Sequence, residues 1–150
     1  MTIEEGDLFT QDATWSLAHC VSTDFVMGAG IATVFKTKYG RVGDLLAQKV
    51  GIGEVATLLD KHATPPPPLL GKHPPIFYLV TKEKYWHKPT LKAMEQSLTA
   101  LAKACVKHNV DHLASLDKLN WSSVEKLIKQ IVLPVTNVHI LLRENTKNTY

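Results

Sequence analysis

Two residues of this chain, Lys82 and Asp117, have side chains that suit covalent catalysis. Lys82 follows the apolar run Ile76–Val80, whose composition predicts a strand buried on both faces. We expect such a position to desolvate the amine partly, which lowers its pKa and makes it a nucleophile toward an aldehyde or an anomeric carbon. Asp117 follows another predicted strand and could supply a partner carboxylate. The residues alone leave open that Lys82 is a surface charge and Asp117 a turn residue.

A phosphate-binding pattern lies in the stretch from Ser16 to Ala32. Ser16–Ser22 predicts a short buried strand, and Met27-Gly28-Ala29-Gly30-Ile31 predicts a small-residue turn that opens a helix ending near Tyr39. Glycine lets a ligand approach the backbone, and the first N–H groups of a helix, with its dipole, face an anion. A Gly-x-Gly corner also occurs for packing alone, so both interpretations remain at this point.

Other candidate groups carry weaker signals. Asp7 ends a predicted strand and could accept a hydrogen bond from a ligand's amino group, or could cap a turn. Of the seven histidines, His62 and His73 flank the proline-rich stretch, the two cysteines form no CxxC, and no metal site is predicted. A serine hydrolase built on Ser22 and His19 is disfavoured, because the G-x-S-x-G elbow is absent and this spacing places the side chains on opposite faces of a strand.

Strand and helix patterns alternate along the chain and predict a three-layer α/β/α sandwich. We expect one domain, 1–142, followed by a polar tail, 143–150. The Ser122 and Glu125 pair predicts a capping box. The further predicted strands are Thr2–Glu5, Gly53–Leu59, Val110–Ala114 and Val138–Leu142, and the further helices are Val42–Lys49, Thr90–His108 and Ser122–Val132.

Composition narrows the class of protein. A net charge of +3 suits a small anionic ligand, and the absence of a dense Lys/Arg run argues against nucleic-acid binding. Cys20 and Cys105 lie in apolar stretches, which predicts reduced, buried thiols of an intracellular protein. The apolar runs are too short to span a membrane. The prolines Pro65–Pro68 predict a surface loop, with docking of a proline-binding module as the alternative.

Seven blocks, in order from Gly6 to the end of the predicted domain, resemble one branch of the macrodomain family. That branch is the terminal ADP-ribose protein glycohydrolases, also described as O-acetyl-ADP-ribose deacetylases. The strand sequence His-Cys-x-Ser is typical of this branch. The blocks are Gly6–Phe9, Ser16–Ser22, Met27–Ala32, Phe35–Gly40, Tyr78–Lys82, His87–Thr90 and Leu116–Trp121.

The resemblance implies a macrodomain with a mixed central sheet and specific roles in the site. Asp7 would accept a hydrogen bond from adenine, and Met27–Ile31 would wrap the diphosphate and distal ribose. Lys82 would attack the anomeric carbon of an ADP-ribose esterified to a protein glutamate or aspartate, and Asp117 would then act as acid and base. No metal or cofactor would be required. The implied substrate-binding residues are Asp7, Leu8, His19, Ser22, Met27, Gly28, Ala29, Gly30 and Ile31.

The resemblance also implies a cellular setting: ADP-ribose and ADP-ribosylated proteins as partners, no nucleic acid or membrane, a monomer in the nucleus or cytoplasm, and roles in purine nucleoside metabolism and the DNA damage response.

The sequence departs from the family in one loop. The family has a second Gly-rich loop, Pro-Arg-x-Gly-x-Gly, which is missing here because Leu113–Asp117 runs straight through. Its loss predicts weakened phosphate binding. The alternatives are therefore a binding module without turnover, or a degenerate homologue retained for interactions through the proline loop.

Overall fold

A computed structural model describes residues 1–8, 14–28, 31–59, 74–84, 86–116 and 121–142. The strands of these residues are β1 (Thr2–Glu5), β2 (Ser16–Ser22), β3 (Val55–Leu58), β4 (Ile76–Lys82), β5 (His112–Leu116) and β6 (Asn137–Leu142). The helices are α1 (Ile31–Tyr39), α2 (Val42–Leu46), α3 (Leu91–Lys107) and α4 (Trp121–Leu127), and α4 continues as a π-helical segment over Ile128–Val132.

The strands form one six-stranded sheet in the order β1-β6-β5-β2-β4-β3. All neighbouring pairs are parallel except β3 and β4, which are antiparallel. Helices α1 and α2 cover one face, and α3 and α4 cover the other. The predicted three-layer sandwich with a mixed central sheet is therefore confirmed.

The central strand β4 shows why the core has two halves. Its residues Ile76–Thr81 are all buried, and their side chains alternate between the two faces. Tyr78 packs with Phe35 of α1 in one cluster, whereas Leu79 packs with Leu98 of α3 in the other. A strand apolar on both faces can only be stable between two helical layers, which is the position it takes.

Some element boundaries differ from the sequence prediction. Strand β4 continues through Lys82, so this residue ends the strand instead of following it. Helix α4 begins at Trp121, so Ser122 lies inside the first turn and the predicted capping box is wrong. The prediction of Thr90 as a helix start is confirmed, since its side chain accepts a hydrogen bond from the Ala93 N–H at 3.0 Å. Leu91, the first residue of α3, was expected in the buried stripe of that helix and is instead 54% exposed, so this expectation is wrong.

The described residues contain no helix that is both long enough and apolar enough to cross a membrane. Cys20 is half-buried and Cys105 is buried, and neither forms a disulfide. Burial raises the pKa of the Cys105 thiol to about 12, which makes it an inert core residue. The Pro65–Pro68 run and the tail 143–150 lie outside the described residues.

Candidate functional site

The order of the strands determines where a ligand is expected. The chain leaves β2 toward β3 and β4 on one side, and it leaves β5 toward β6 on the other. Strands β2 and β5 are neighbours, with Ala18 opposite Ser115. Ligands of open α/β sheets bind at such a reversal, beyond the carboxyl ends of the strands. The carboxyl ends of β2 and β5 therefore flank the expected crevice.

The segment after β2, residues 23–28, is held by the carboxylate of Asp24. Its Oδ1 accepts a hydrogen bond from Ser22 Oγ at 2.7 Å and another from the Val26 N–H at 3.2 Å. The Lys36 ammonium of α1 donates to the Val26 carbonyl at 3.1 Å. We call residues 22–28 the β2 turn. Its shape depends on side-chain contacts from both the strand before it and the helix after it.

Two non-glycine residues of the β2 turn adopt left-handed backbone conformations. Phe25 has a φ of 53° and Met27 a φ of 49°. Such conformations cost of order 1–3 kcal/mol each unless the surrounding structure supports them. Both side chains are buried, at 2% and 3% exposure, so their apolar burial offsets that cost. The turn is thus built in advance of any ligand.

The electrostatics of the β2 turn favour a charged Asp24. Burial by itself would raise the pKa of Asp24, but the hydrogen bonds from Ser22 and Val26 and the charge of Lys84 outweigh it, so the pKa is lowered. The carboxylate therefore stays ionised and continues to accept both hydrogen bonds at neutral pH.

Lys82 lies directly beside the β2 turn. It pairs with Ser22 in the sheet register, after an irregularity between Val21 and Ser22. The Thr23 N–H donates to the Lys82 carbonyl at 3.0 Å, and Thr23 Oγ donates to the Glu83 carbonyl at 2.9 Å. The side chain of Lys82 is half-buried. The candidate nucleophile and the candidate phosphate turn are thus joined through their backbones.

The other predicted site residues take different positions. His19 is buried in the core, where its ring stacks on Phe35 at a centroid distance of 3.7 Å. Asp7 is exposed after β1 and Leu8 is buried. Within the β2 turn Met27 is buried and Gly28 exposed, whereas Ile31 is buried as the first residue of α1. Ala29, Gly30 and Asp117 lie outside the described residues, and β5 ends at Leu116.

An apolar cavity of about 90 Å³ lies mainly between the sheet and the helices α3 and α4, and it reaches Ile31 at the start of α1. Lys82, Cys20 and Pro89 line it, and all three are half-buried. The remaining lining residues are Ala18, His19, Ile31, Leu79, Met94, Leu98, Leu101, Leu113, Ser115, Val124, Ile128, Val132, Val138 and Ile140. The cavity therefore extends from the core on the α3 and α4 side of the sheet to the carboxyl edge of the sheet, where Lys82 lies.

Sequence reasoning missed Asp24 and Thr23, to which it gave no role. The available signal was the Ser22-x-Asp24 spacing, since Asp side chains often bond the backbone two residues further on. It also missed a cluster around β6: His112 Nδ1 lies 2.9 Å from His139 Nε2, and Trp15 stacks on the His139 ring at 3.8 Å. No local pattern could show that cluster, because His112 and His139 belong to different strands.

Two curated relatives align with most of the chain. The ADP-ribose glycohydrolase OARD1 of Homo sapiens is 40% identical over 137 residues, which cover 87% of this chain and 83% of the relative. The Bos taurus protein of the same name is 39% identical over 146 residues, with coverages of 93% and 88%. The chain belongs to the terminal ADP-ribose glycohydrolase branch of the macrodomains.

Solved structures agree on the fold of this macrodomain. The macrodomain of Thermus aquaticus DarG superimposes with a TM-score of 0.74 at 22% identity, covering 96% of this chain and 97% of that one. Thermosipho africanus DarTG, solved in complex with ADP-ribose, gives a TM-score of 0.77 at 20% identity, covering 95% of this chain and 42% of that one. No family model matches the chain.

Proposed function

We propose that this macrodomain binds ADP-ribose and hydrolyses its ester bond to glutamate or aspartate side chains of modified proteins, with deacylation of O-acyl-ADP-ribose as a related activity. The observation that carries the proposal is the pairing of Lys82 with Ser22 at the carboxyl edge of the sheet, beside the preformed β2 turn. Membership of the glycohydrolase branch supports it.

In the proposed complex the ligand lies across the carboxyl edge of the sheet. Asp7, with Leu8 behind it, accepts a hydrogen bond from the adenine amine. The backbone N–H groups of 27–31 bind the diphosphate at the start of α1, where the helix dipole favours an anion. Ser22 lines the distal-ribose pocket, and His19 supports it from the core through its stacking on Phe35.

The proposed reaction has two steps. In the first, the neutral amine of Lys82 forms a bond to the anomeric carbon while the bond to the ester oxygen breaks, and the protein carboxylate leaves with the electron pair. The proton lost by the amine passes to Asp117. In the second, Asp117 returns this proton to the adduct nitrogen as its bond to the anomeric carbon breaks. A water adds its oxygen to that carbon and gives its proton to the freed carboxylate, which releases ADP-ribose and restores the amine. Neither of the two proposed steps uses a cofactor.

A turnover assay with matched lysine variants tests the proposal. Wild-type protein releases ADP-ribose from glutamate-modified protein, Lys82→Ala abolishes the release, and Lys92→Ala, an exposed residue of α3, leaves it unchanged. Rapid denaturation during turnover traps a lysyl adduct, seen by mass spectrometry as protein plus ADP-ribose less one water. Equal activity of Lys82→Ala and wild type would overturn the mechanism.

A second candidate function is recognition of ADP-ribose without turnover. It is favoured by the sequence Leu113–Asp117, which lacks the Gly-rich loop that the family places before the aspartate. Each charge-assisted hydrogen bond lost with that loop removes about 1.5–3 kcal/mol. Calorimetry that detects saturable binding while no product forms would select this function. If the protein fails to bind ADP-ribose at millimolar concentration, it is a degenerate homologue with neither function. The proposed monomeric state is tested separately by gel filtration.

A further inference from the structure

The apolar cavity between the sheet and α3/α4 has a volume that limits its occupant. An apolar cavity of about 150 Å³ accepts the six carbons of benzene, or about 25 Å³ per carbon. The volume here is about 90 Å³. By that measure it holds about three or four carbons. A short aliphatic chain fits, whereas an adenine ring or a sugar does not.

The walls of the cavity select an apolar group. Leu98 and Leu101 of α3, Val132 after α4, and Ile140 of β6 all line it, and each is less than 5% exposed. The polar lining residues are few, namely His19, Lys82 and Ser115, and beside the apolar remainder a water would lack the two to four polar partners that hold a buried water in place. An apolar chain would instead regain the dispersion contacts that these side chains lack.

Lys82, itself half-buried, adds one charge to the described lining of the cavity. In the described ranges the ion pairs are Arg41–Asp44 and Lys129–Glu125, and Lys82 takes part in neither. An ammonium beside apolar walls favours an anion, and a carboxylate can accept its hydrogen bonds. The complementary ligand is therefore a monoanion whose tail is apolar.

We propose that the cavity binds a short-chain aliphatic monocarboxylate, with its three or four tail carbons among the leucines of α3 and its carboxylate on the ammonium of Lys82. This site adjoins the proposed ADP-ribose site, with which it shares Lys82, His19 and Ile31, and it requires no chemistry on the carboxylate. A bound carboxylate accepts the hydrogen bonds of the Lys82 side chain and occupies the space beside its nitrogen. Such a ligand therefore inhibits any reaction in which Lys82 is the nucleophile.

Calorimetric titration of the whole chain with acetate, propanoate, butanoate, pentanoate and heptanoate tests the site. Each methylene contributes about 0.8 kcal/mol on burial, or about a fourfold gain in affinity. We expect that gain to continue to butanoate or pentanoate and to stop by heptanoate. Pentylammonium and pentanol, with the same tail, are expected to bind at least tenfold more weakly than pentanoate. Affinity independent of chain length, or equal for the three head groups, would overturn the proposal.

Matched variants locate the binding. Lys82→Met keeps the length of the side chain and is expected to abolish the preference for pentanoate over pentanol, whereas Lys92→Met on α3 keeps it. Val138→Ile adds one methyl group to the lining and is expected to lower pentanoate affinity about fourfold, whereas Val34→Ile on the exposed face of α1 has no effect. Each variant is first checked for a wild-type circular dichroism spectrum. Unchanged binding in both Lys82→Met and Val138→Ile would exclude this cavity.

The two proposals fail separately. The titration needs no ADP-ribose, so a protein that releases ADP-ribose but does not bind pentanoate overturns the carboxylate site alone. A protein that binds pentanoate with the expected chain-length dependence, yet releases no ADP-ribose, overturns the proposed hydrolase alone.

Discussion

At the scale of single residues, Asp24 determines the shape of the proposed phosphate turn. Its carboxylate holds the Ser22 hydroxyl and the Val26 N–H, between which Phe25 is kept in a left-handed conformation. These hydrogen bonds form within the protein and involve no ligand. A ligand therefore does not have to order the turn as it binds.

Replacing Asp24 by alanine is expected to weaken ADP-ribose binding about tenfold, because the turn loses two hydrogen bonds worth about 0.5–1.5 kcal/mol each. Asp24→Asn retains an oxygen that can accept both bonds and is expected to stay closer to wild type. Calorimetric titration with ADP-ribose measures the difference. Identical affinities for alanine and wild type would show that the turn does not depend on this carboxylate.

A second residue-scale feature is the histidine pair at β5 and β6. Burial lowers the pKa of His139, and the nearby charge of His112 and of the chain's N-terminus lowers it further, while Glu4 opposes them. His139 also lies within hydrogen-bond distance of Thr2 Oγ, at 2.9 Å, and Trp15 stacks on its ring. The strand β1 is thus linked to a neutral histidine.

The stability of the protein is expected to fall as the pH drops below about 6.5. His139 has a lowered pKa in the folded state, so the unfolded chain binds a proton more readily there, and protonation favours unfolding. Urea unfolding at pH 7.5 and 5.5 measures the loss. His139→Phe keeps a ring against Trp15 and is expected to reduce this pH dependence, whereas His87→Asn, at an exposed position, does not. An equal loss in all three proteins would contradict the assignment.

At the scale of elements, the turn before β3 depends on a glycine. Gly53 has a φ of 90°, and its N–H donates to the Val80 carbonyl at 2.7 Å. A Cβ at this position would lie 2.7 Å from Oε1 and 3.1 Å from Cβ of Gln96 on α3. The turn that aligns β3 with β4 therefore tolerates no side chain without a shift of α3 or of its own backbone.

The matched pair Gly53→Ala and Gly43→Ala tests that dependence. Gly53→Ala is expected to destabilise the fold by about 1–3 kcal/mol, since it adds left-handed strain and a contact with Gln96. At Gly43, inside α2, a Cβ meets no atom within 4 Å, so alanine is expected to be neutral or to stabilise by about 0.5–1 kcal/mol. Urea unfolding compares them. Equal stabilities of the two variants would show that the turn adapts.

At the scale of the whole molecule, ligand binding is linked to unfolding. A ligand that binds only the folded state at 100 times its Kd stabilises it by about 2.7 kcal/mol, or roughly 5–10 °C for a protein of this size. We expect ADP-ribose to raise the Tm of wild type and of Lys82→Ala alike, because binding depends on the β2 turn and catalysis on the amine. Differential scanning calorimetry measures both. An unchanged Tm in wild type at millimolar ADP-ribose would contradict both proposed functions.

The sequence by itself determined that the sheet of this protein lies between two helical layers. It also determined which kinds of residue lie at the ends of the strands. The unbroken apolar run Ile76–Val80 predicted a strand covered on both faces, and Thr90 predicted the start of α3. Lys82 could be singled out because it follows that run. These features are local, since an apolar run and a capping residue are recognised from their neighbours along the chain.

Only the tertiary structure decided which strands, and therefore which of these residues, lie next to one another. The order of the strands places Ser22 beside Lys82, and the Thr23 N–H joins the β2 turn to the Lys82 carbonyl. The same order brings His112 against His139 and leaves the cavity under α3 and α4. Each of these contacts joins residues far apart in the chain, and its geometry depends on the packing of whole elements, which no local pattern of residues records.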